Sequence, residues 1–112
     1  VAELTHISMP LPASVRQYAN AAFMEHRIAF QPRYEVEHIA TIHAMVKADL
    51  GVAALPELAA AFVQQGGVAS RRLTRPDIQR PIGVVTRRHR SLSPAAQEMV
   101  RMLRQETTAL LP

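Results

Sequence analysis

Five histidines, scattered serines and the pair Glu35 and Glu37 carry the chemistry that catalysis or metal binding would need. Their spacing suits neither. His38 and His43 lie five positions apart across a strand–helix junction, and no acidic residue follows at ligand spacing, so no metal donor set is expected. Ser8, Ser14, Ser70, Ser91 and Ser93 occupy no Gly-x-Ser-x-Gly elbow. Glu35 and Glu37 fall on one side of an alternating segment and are expected to face solvent. "LGVAALP" (50–56) has a single glycine where a phosphate-cradling loop needs several. The chain has no cysteine, which excludes disulfides, thiol nucleophiles and cysteine-bearing zinc sites. The expectation is a protein that is not an enzyme and uses neither metal nor cofactor.

What remains is binding, and the elements say where. The 112 residues suffice for one compact domain, and 48% of them are hydrophobic, enough for a core. Leu4 to Ser8 alternates and reads as a strand ending in the breaker-rich "MPLPA". Ser14 with Gln17 forms a capping-box pattern for a helix whose face is Val15, Ala19, Ala22 and Phe23. Arg33 to His38 alternates strictly, with Tyr34, Val36 and His38 on the buried side. Thr41 is placed to cap the next helix, whose stripe is Ile42, Met45, Val46 and Leu50. In "GVAALPELAA" (51–60), Gly51 releases the chain from that helix and Val52 to Leu55 make a run apolar on both faces, as in a central parallel strand. Pro56 suits the first turn of a helix, which runs on through "ELAAAFVQQ" (57–65). Val68 to Leu73 and Pro81 to Arg87 are expected as further strands. Ser93 caps and Pro94 opens a last helix with Ala96, Met99, Val100, Leu103 and Leu110 on its apolar face. Strands alternating with helices predict an α/β fold with a mainly parallel sheet flanked by helices.

The net charge of +4 rests on arginine groups such as "SRRLTR" (70–75) and "RRHR" (87–90). They lie beside strands or turns without aromatic interleaving, so they read as solvated turn charges rather than a nucleic-acid surface. No apolar run approaches a membrane span and no charged leader precedes one, which predicts a cytoplasmic protein with no membrane partner.

Three segments, in order, resemble one family. "ATIHAMVKADLGVAALPELAA" (40–60), "RRLTRPDIQRPIGVVTRRHRSLSPAAQEMVRMLR" (71–104) and the upstream "ELTHISMPLPASVRQYANAAF" are similar to the second half of the effector-binding domain of LysR-type transcriptional regulators. Asp49 stands where the family usually has the first glycine of its helix-ending turn. Aspartate is among the few residues that tolerate left-handed backbone, so the turn is expected to survive.

The resemblance implies a periplasmic-binding-protein-like (type 2) lobe over residues 1–79. Residues 80–112 would be a return strand and terminal helix belonging with the first lobe. The family's winged helix-turn-helix has no counterpart here, so DNA would be reached only through that missing domain. The implied partners are a small-molecule effector and a second copy of the chain, as a homodimer or homo-oligomer. Ligands in open parallel sheets sit beyond the carboxyl ends of the strands. That rule nominates Ser8 and Met9 after the first strand, His38 and Ile39 after the alternating one, and Thr41 at the helix start. A helix N-terminus attracts anions, which suggests an organic acid. Thr41 has two readings, cap and effector contact, and one hydroxyl can serve both. His38 likewise reads either as a packed core or rim histidine or as a ligand contact. Met99, Val100 and Leu103 are expected to meet a second chain, to pack on this lobe, or to stay exposed. A lobe of a transporter's solute-binding protein is the competing reading.

Overall fold

The computed structural model describes residues 3–59 and 66–110. The chain divides into two compact units, Val1–Arg80 and Pro81–Pro112.

In the first unit, strand β1 (Ile7–Ser8) is central. Strand β2 (Tyr34–Glu35) pairs with it in parallel, Ile7 opposite Tyr34 and Ser8 opposite Glu35. On the other side Val52 forms a parallel bridge with His6. Its amide donates to the Thr5 carbonyl at 2.9 Å, and the Ile7 amide donates to the Val52 carbonyl at 2.9 Å. Spatial order is thus β2, β1, Val52, a small parallel α/β arrangement. Gly51 is needed for it: a Cβ there would lie 2.4 Å from the Thr5 carbonyl oxygen.

Helix α1 (Ser14–Glu25) connects β1 to β2, and helix α2 (Ile39–Lys47) connects β2 to Val52. Ile7 and Ile42 are both 1% exposed and form the centre of the core, joined by Ala19, Ala22 and Ala59. The expected α1 face holds, with Ala19 and Ala22 buried and Val15 and Phe23 half-buried. Phe23 and Phe30 pack at 4.7 Å between ring centroids, and each meets the buried His6 ring edge-on, at 5.5 and 5.2 Å.

Both helices end in the same way. After α1 the Ile28 amide reaches the Phe23 carbonyl at 3.0 Å and the Arg27 amide reaches Met24 at 2.8 Å. After α2 the Leu50 amide reaches Met45 at 3.1 Å and the Asp49 amide reaches Val46 at 3.0 Å. These are Schellman ends, and each turns on a left-handed residue, Arg27 at φ 57° and Asp49 at φ 59°. Asp49 therefore takes the glycine's conformation, as expected.

Several sequence expectations require correction. Ser14 does not cap α1: Ala13 holds the cap position with its carbonyl accepting from the Gln17 amide at 3.1 Å, while the Gln17 side chain donates to the Pro12 carbonyl at 3.0 Å. Nor is Thr41 a cap, because α2 begins at Ile39 and His38 holds the cap position in extended geometry. Val52 to Leu55 contributes one bridge rather than a strand, and residues 68–73 and 81–87 carry no strand. The residue types of a segment suggest a strand, but one exists only where a neighbour accepts its backbone hydrogen bonds. Among the described residues those segments have no ladder partner. Of the expected helix over 57–65, residues 57–59 are helical and 60–65 lie outside the described residues.

The second unit contains helix α3 (Pro94–Leu110). Here the cap is as expected: Ser93 Oγ accepts from the Ala96 amide at 3.3 Å, and the Ser93 carbonyl accepts from the Gln97 amide at 2.9 Å. The Gln97 side chain donates to the Leu92 carbonyl at 3.0 Å, closing the turn. The face expected to be apolar is largely exposed, with Met99 58% and Leu103 48% accessible, and Val100 is half-buried. The Leu110 side chain lies outside the described residues. No helix among the described residues is long and apolar enough to cross a membrane.

Candidate functional site

The carboxyl ends of β1 and β2 are organised by a residue the sequence reading passed over. Arg16 is 8% exposed despite its charge. Its Nη1 donates to the Met9 carbonyl at 3.3 Å and to the Glu35 carboxylate, and its Nε donates to Asn20 Oδ1 at 2.9 Å. The guanidinium also sits 5.3 Å from the centre of the Phe30 ring. A buried charge needs such partners, and Arg16 finds them on three elements. The signal was available: Arg16, Ala19 and Ala22 fall at three-residue spacing on the buried face of α1. Glu35 faces solvent beside Glu37 as expected, and in addition pairs with Arg16.

Ser8 is buried in the strand pair, its carbonyl accepting from the Val36 amide at 3.0 Å. Met9 is half-buried and tied to Arg16 through its carbonyl. His38 is exposed rather than packed, and its carbonyl starts α2 by accepting from the Thr41 and Ile42 amides at 3.0 and 3.1 Å. Thr41 is exposed in the first turn. Ile39, the first residue of α2, lines a cavity of about 470 Å³.

That cavity lies where two helix starts meet. Ile39, Ala40 and His43 come from the beginning of α2, and Pro56, Leu58 and Ala59 from the helical turn after Leu55-Pro56, with Arg80 completing it. The short apolar run and its proline therefore do turn at the rim of a concavity. Of the five residues nominated from sequence, Ile39 lines it; Ser8, Met9, His38 and Thr41 are not among its described lining. His43 follows Ile39 by four positions on one helical face, so its presence was legible in the spacing. Arg80 arrives from a segment without regular structure and carried no such signal.

His43 and Arg80 are the polar side chains among the cavity's described lining. His43 Nε2 is buried without a hydrogen-bond partner. The ring fits because residue 66 is glycine: a Cβ there would fall 2.3 Å from His43 Cε1 and 2.4 Å from Nε2. A second, larger cavity of about 640 Å³ shares His43, Pro56 and Arg80 and extends past His6, Tyr18 and Phe23 to the 68–80 segment. Among the described residues no cluster of histidine and acidic side chains could hold a metal.

The first unit is thus a small parallel α/β unit with a concavity at its helix starts. Comparison with known proteins agrees: the family described as "LysR substrate binding domain" matches residues 1–108. The chain belongs to that family, whose fold is periplasmic-binding-protein-like. It is 34% identical over 89 residues to YbhD of Escherichia coli (strain K12), named as an uncharacterised HTH-type transcriptional regulator, a match covering 75% of this chain and 28% of that protein. It is 32% identical over 96 residues to YfeR of Shigella flexneri, named likewise, covering 86% of this chain and 31% of the relative. The chain thus spans less than a third of the length of either relative. No solved structure gives a significant match.

Proposed function

We propose that this chain is the effector-sensing part of a LysR-type transcriptional regulator, and that the cavity at Ile39, Ala40, His43 and Pro56 is its share of the effector site. The observation carrying this reading is the cavity's position. It opens where helices begin after the parallel segments, which is where open α/β sheets bind ligands. Residues 1–79 supply one lobe, and residues 80–112 belong with the other. The separation of the chain into compact units at Arg80 supports that division. The reading also takes Ser8, Met9, His38 and Thr41, which lie outside the cavity's described lining, as further contacts of a bound effector.

The mechanism is a population shift. An effector with different affinities for two lobe arrangements favours one of them, and the DNA-binding heads of a cytoplasmic homodimer follow. An effector that bound both arrangements equally would change nothing, however tightly it bound. The regulator names of both relatives favour this reading over a transporter's solute-binding lobe.

The test is a thermal-shift screen of the intact protein against organic acids and amino acids, followed by operator binding with and without each hit. A ligand at a hundredfold excess over its Kd stabilises the folded state by about 2.7 kcal/mol. Ala40→Phe, which fills the cavity, is expected to abolish the shift while DNA binding without effector persists. A hit whose binding survives that substitution would move the site elsewhere.

A further inference from the structure

We infer that the effector taken by this cavity is a compact monoanion with an apolar body, its carboxylate held by Arg80 and hydrogen-bonded by His43. The inference rests on the reading of the cavity as the effector site and adds the chemistry of what fills it. Five of the seven described lining residues are apolar: Ile39, Ala40, Pro56, Leu58 and Ala59. The two polar ones are a permanent cation and an imidazole, and no carboxylate is among the seven.

Each alternative ligand class meets a specific obstacle. An amino acid's ammonium group would find no counter-charge among the seven lining residues and would have to reach Glu57 or Asp77 in the adjoining cavity. A polyol would bury several hydroxyls against side chains that neither donate nor accept. A dicarboxylate's second charge would find no partner among the seven lining residues and would have to stay in water. A single carboxylate on an apolar body leaves no group unpaired. Arginine presents its donors in a fork that matches a carboxylate's two oxygens. The buried His43 Nε2 lacks a partner, and a ligand oxygen supplies an acceptor for its proton when the ring turns from Gly66 toward the cavity. At about 470 Å³ the space is near the lower end of ligand pockets, which sets the body at branched-chain or single-ring size.

The experiment is isothermal titration of the intact protein with six probes: 4-methylpentanoate, phenylacetate, the uncharged amide of each, succinate and glutamate. At least one of the two monocarboxylates is expected to bind, with its amide about tenfold weaker or more. Arg80→Gln is expected to bring the acid down to its amide's affinity and leave the amide unchanged, with Arg80→Lys between. His43→Phe, which keeps the ring's bulk, is expected to cost a several-fold loss on acid and amide alike. Tighter binding of succinate or glutamate, or an acid-to-amide ratio unmoved by Arg80→Gln, overturns the monoanion assignment and leaves the sensing function standing. Failure of all six also overturns the assignment. If a broad metabolite screen then fails to alter either stability or operator binding, the sensing function itself falls.

Discussion

Among the described residues two arginine–glutamate pairs occur, and they do different things. Arg16 and Glu35 come from α1 and β2, and the arginine side chain retains 10% of its exposure. Arg101 and Glu98 are three positions apart on α3, with side chains 55% and 56% exposed. The first pair fixes where a helix sits against the carboxyl ends of two strands. The second decorates a surface that water already solvates. A salt bridge is informative about a fold in proportion to the sequence distance it closes and the water it excludes. By that measure Val1–Arg80 carries tertiary information, whereas in Pro81–Pro112 the described hydrogen bonds and ion pairs are local to the helix and its cap.

The contrast breaks most severely at Ile42. It is 1% exposed, at the centre of the first unit's core. Ile42→Ala is expected to destabilise that unit by about 2–5 kcal/mol, from lost transfer energy and the cavity left behind. Denaturant unfolding followed by near-ultraviolet signals from Tyr18 and Tyr34 reads this directly. Helical amide exchange in α3 should be unchanged. Equal loss of protection in both units would mean that they unfold as one.

Arg16 comes next. Arg16→Ala removes the bonds to Met9, Asn20 and Glu35, for an expected loss of about 2 kcal/mol, whereas Arg101→Ala should be near neutral. Glu35→Gln should cost less than Arg16→Ala, because Glu35 is half-exposed and its amide oxygen can still accept from Nη1. Chemical denaturation of the three variants ranks them. If Arg101→Ala proved as costly as Arg16→Ala, the distinction between the pairs would be lost.

The same contrast explains what the sequence could disclose. Local geometry was legible. Ser93 and Pro94 announced a helix start, and the start is there, with Gln97 closing the turn onto Leu92. Asp49 announced a left-handed turn, and its φ is 59°. Ser14 and Gln17 sent the same local signal and it failed, because Ala13 already stands at the cap and Gln17 reaches past it to Pro12. Non-local features were harder. Arg16 drew no notice in the sequence, because its partners Met9 and Glu35 are distant along the chain. Of the residues nominated by the rule about carboxyl ends, Ile39 lines the cavity, and His43 follows it by helical spacing. Arg80 reaches the cavity from chain that has no periodicity to read, and Gly66 bears on it only by packing against His43. Val68 to Leu73 was expected as a strand, but a strand needs a neighbour for its backbone, which the sequence of the segment does not supply.

The smallest expected effect is the sharpest test of locality. The Arg101 guanidinium donates to both Glu98 carboxylate oxygens and holds that carboxyl below its ordinary value, with slight desolvation opposing. A carboxyl lowered by folding stabilises the helix fully above the usual glutamate range, and the contribution disappears as pH falls through the lowered value. Carbon-13 titration of the Glu98 carboxyl should find it below an unperturbed glutamate, and Arg101→Gln should return it to the ordinary range. The pair is exposed and screened by salt, so the displacement should shrink as ionic strength rises. Over the same pH interval the amide exchange of Ile7 and Ile42 should not respond to Arg101→Gln. A response there would show that α3 and the sheet share a stability that the local character of this pair gives them no means to share.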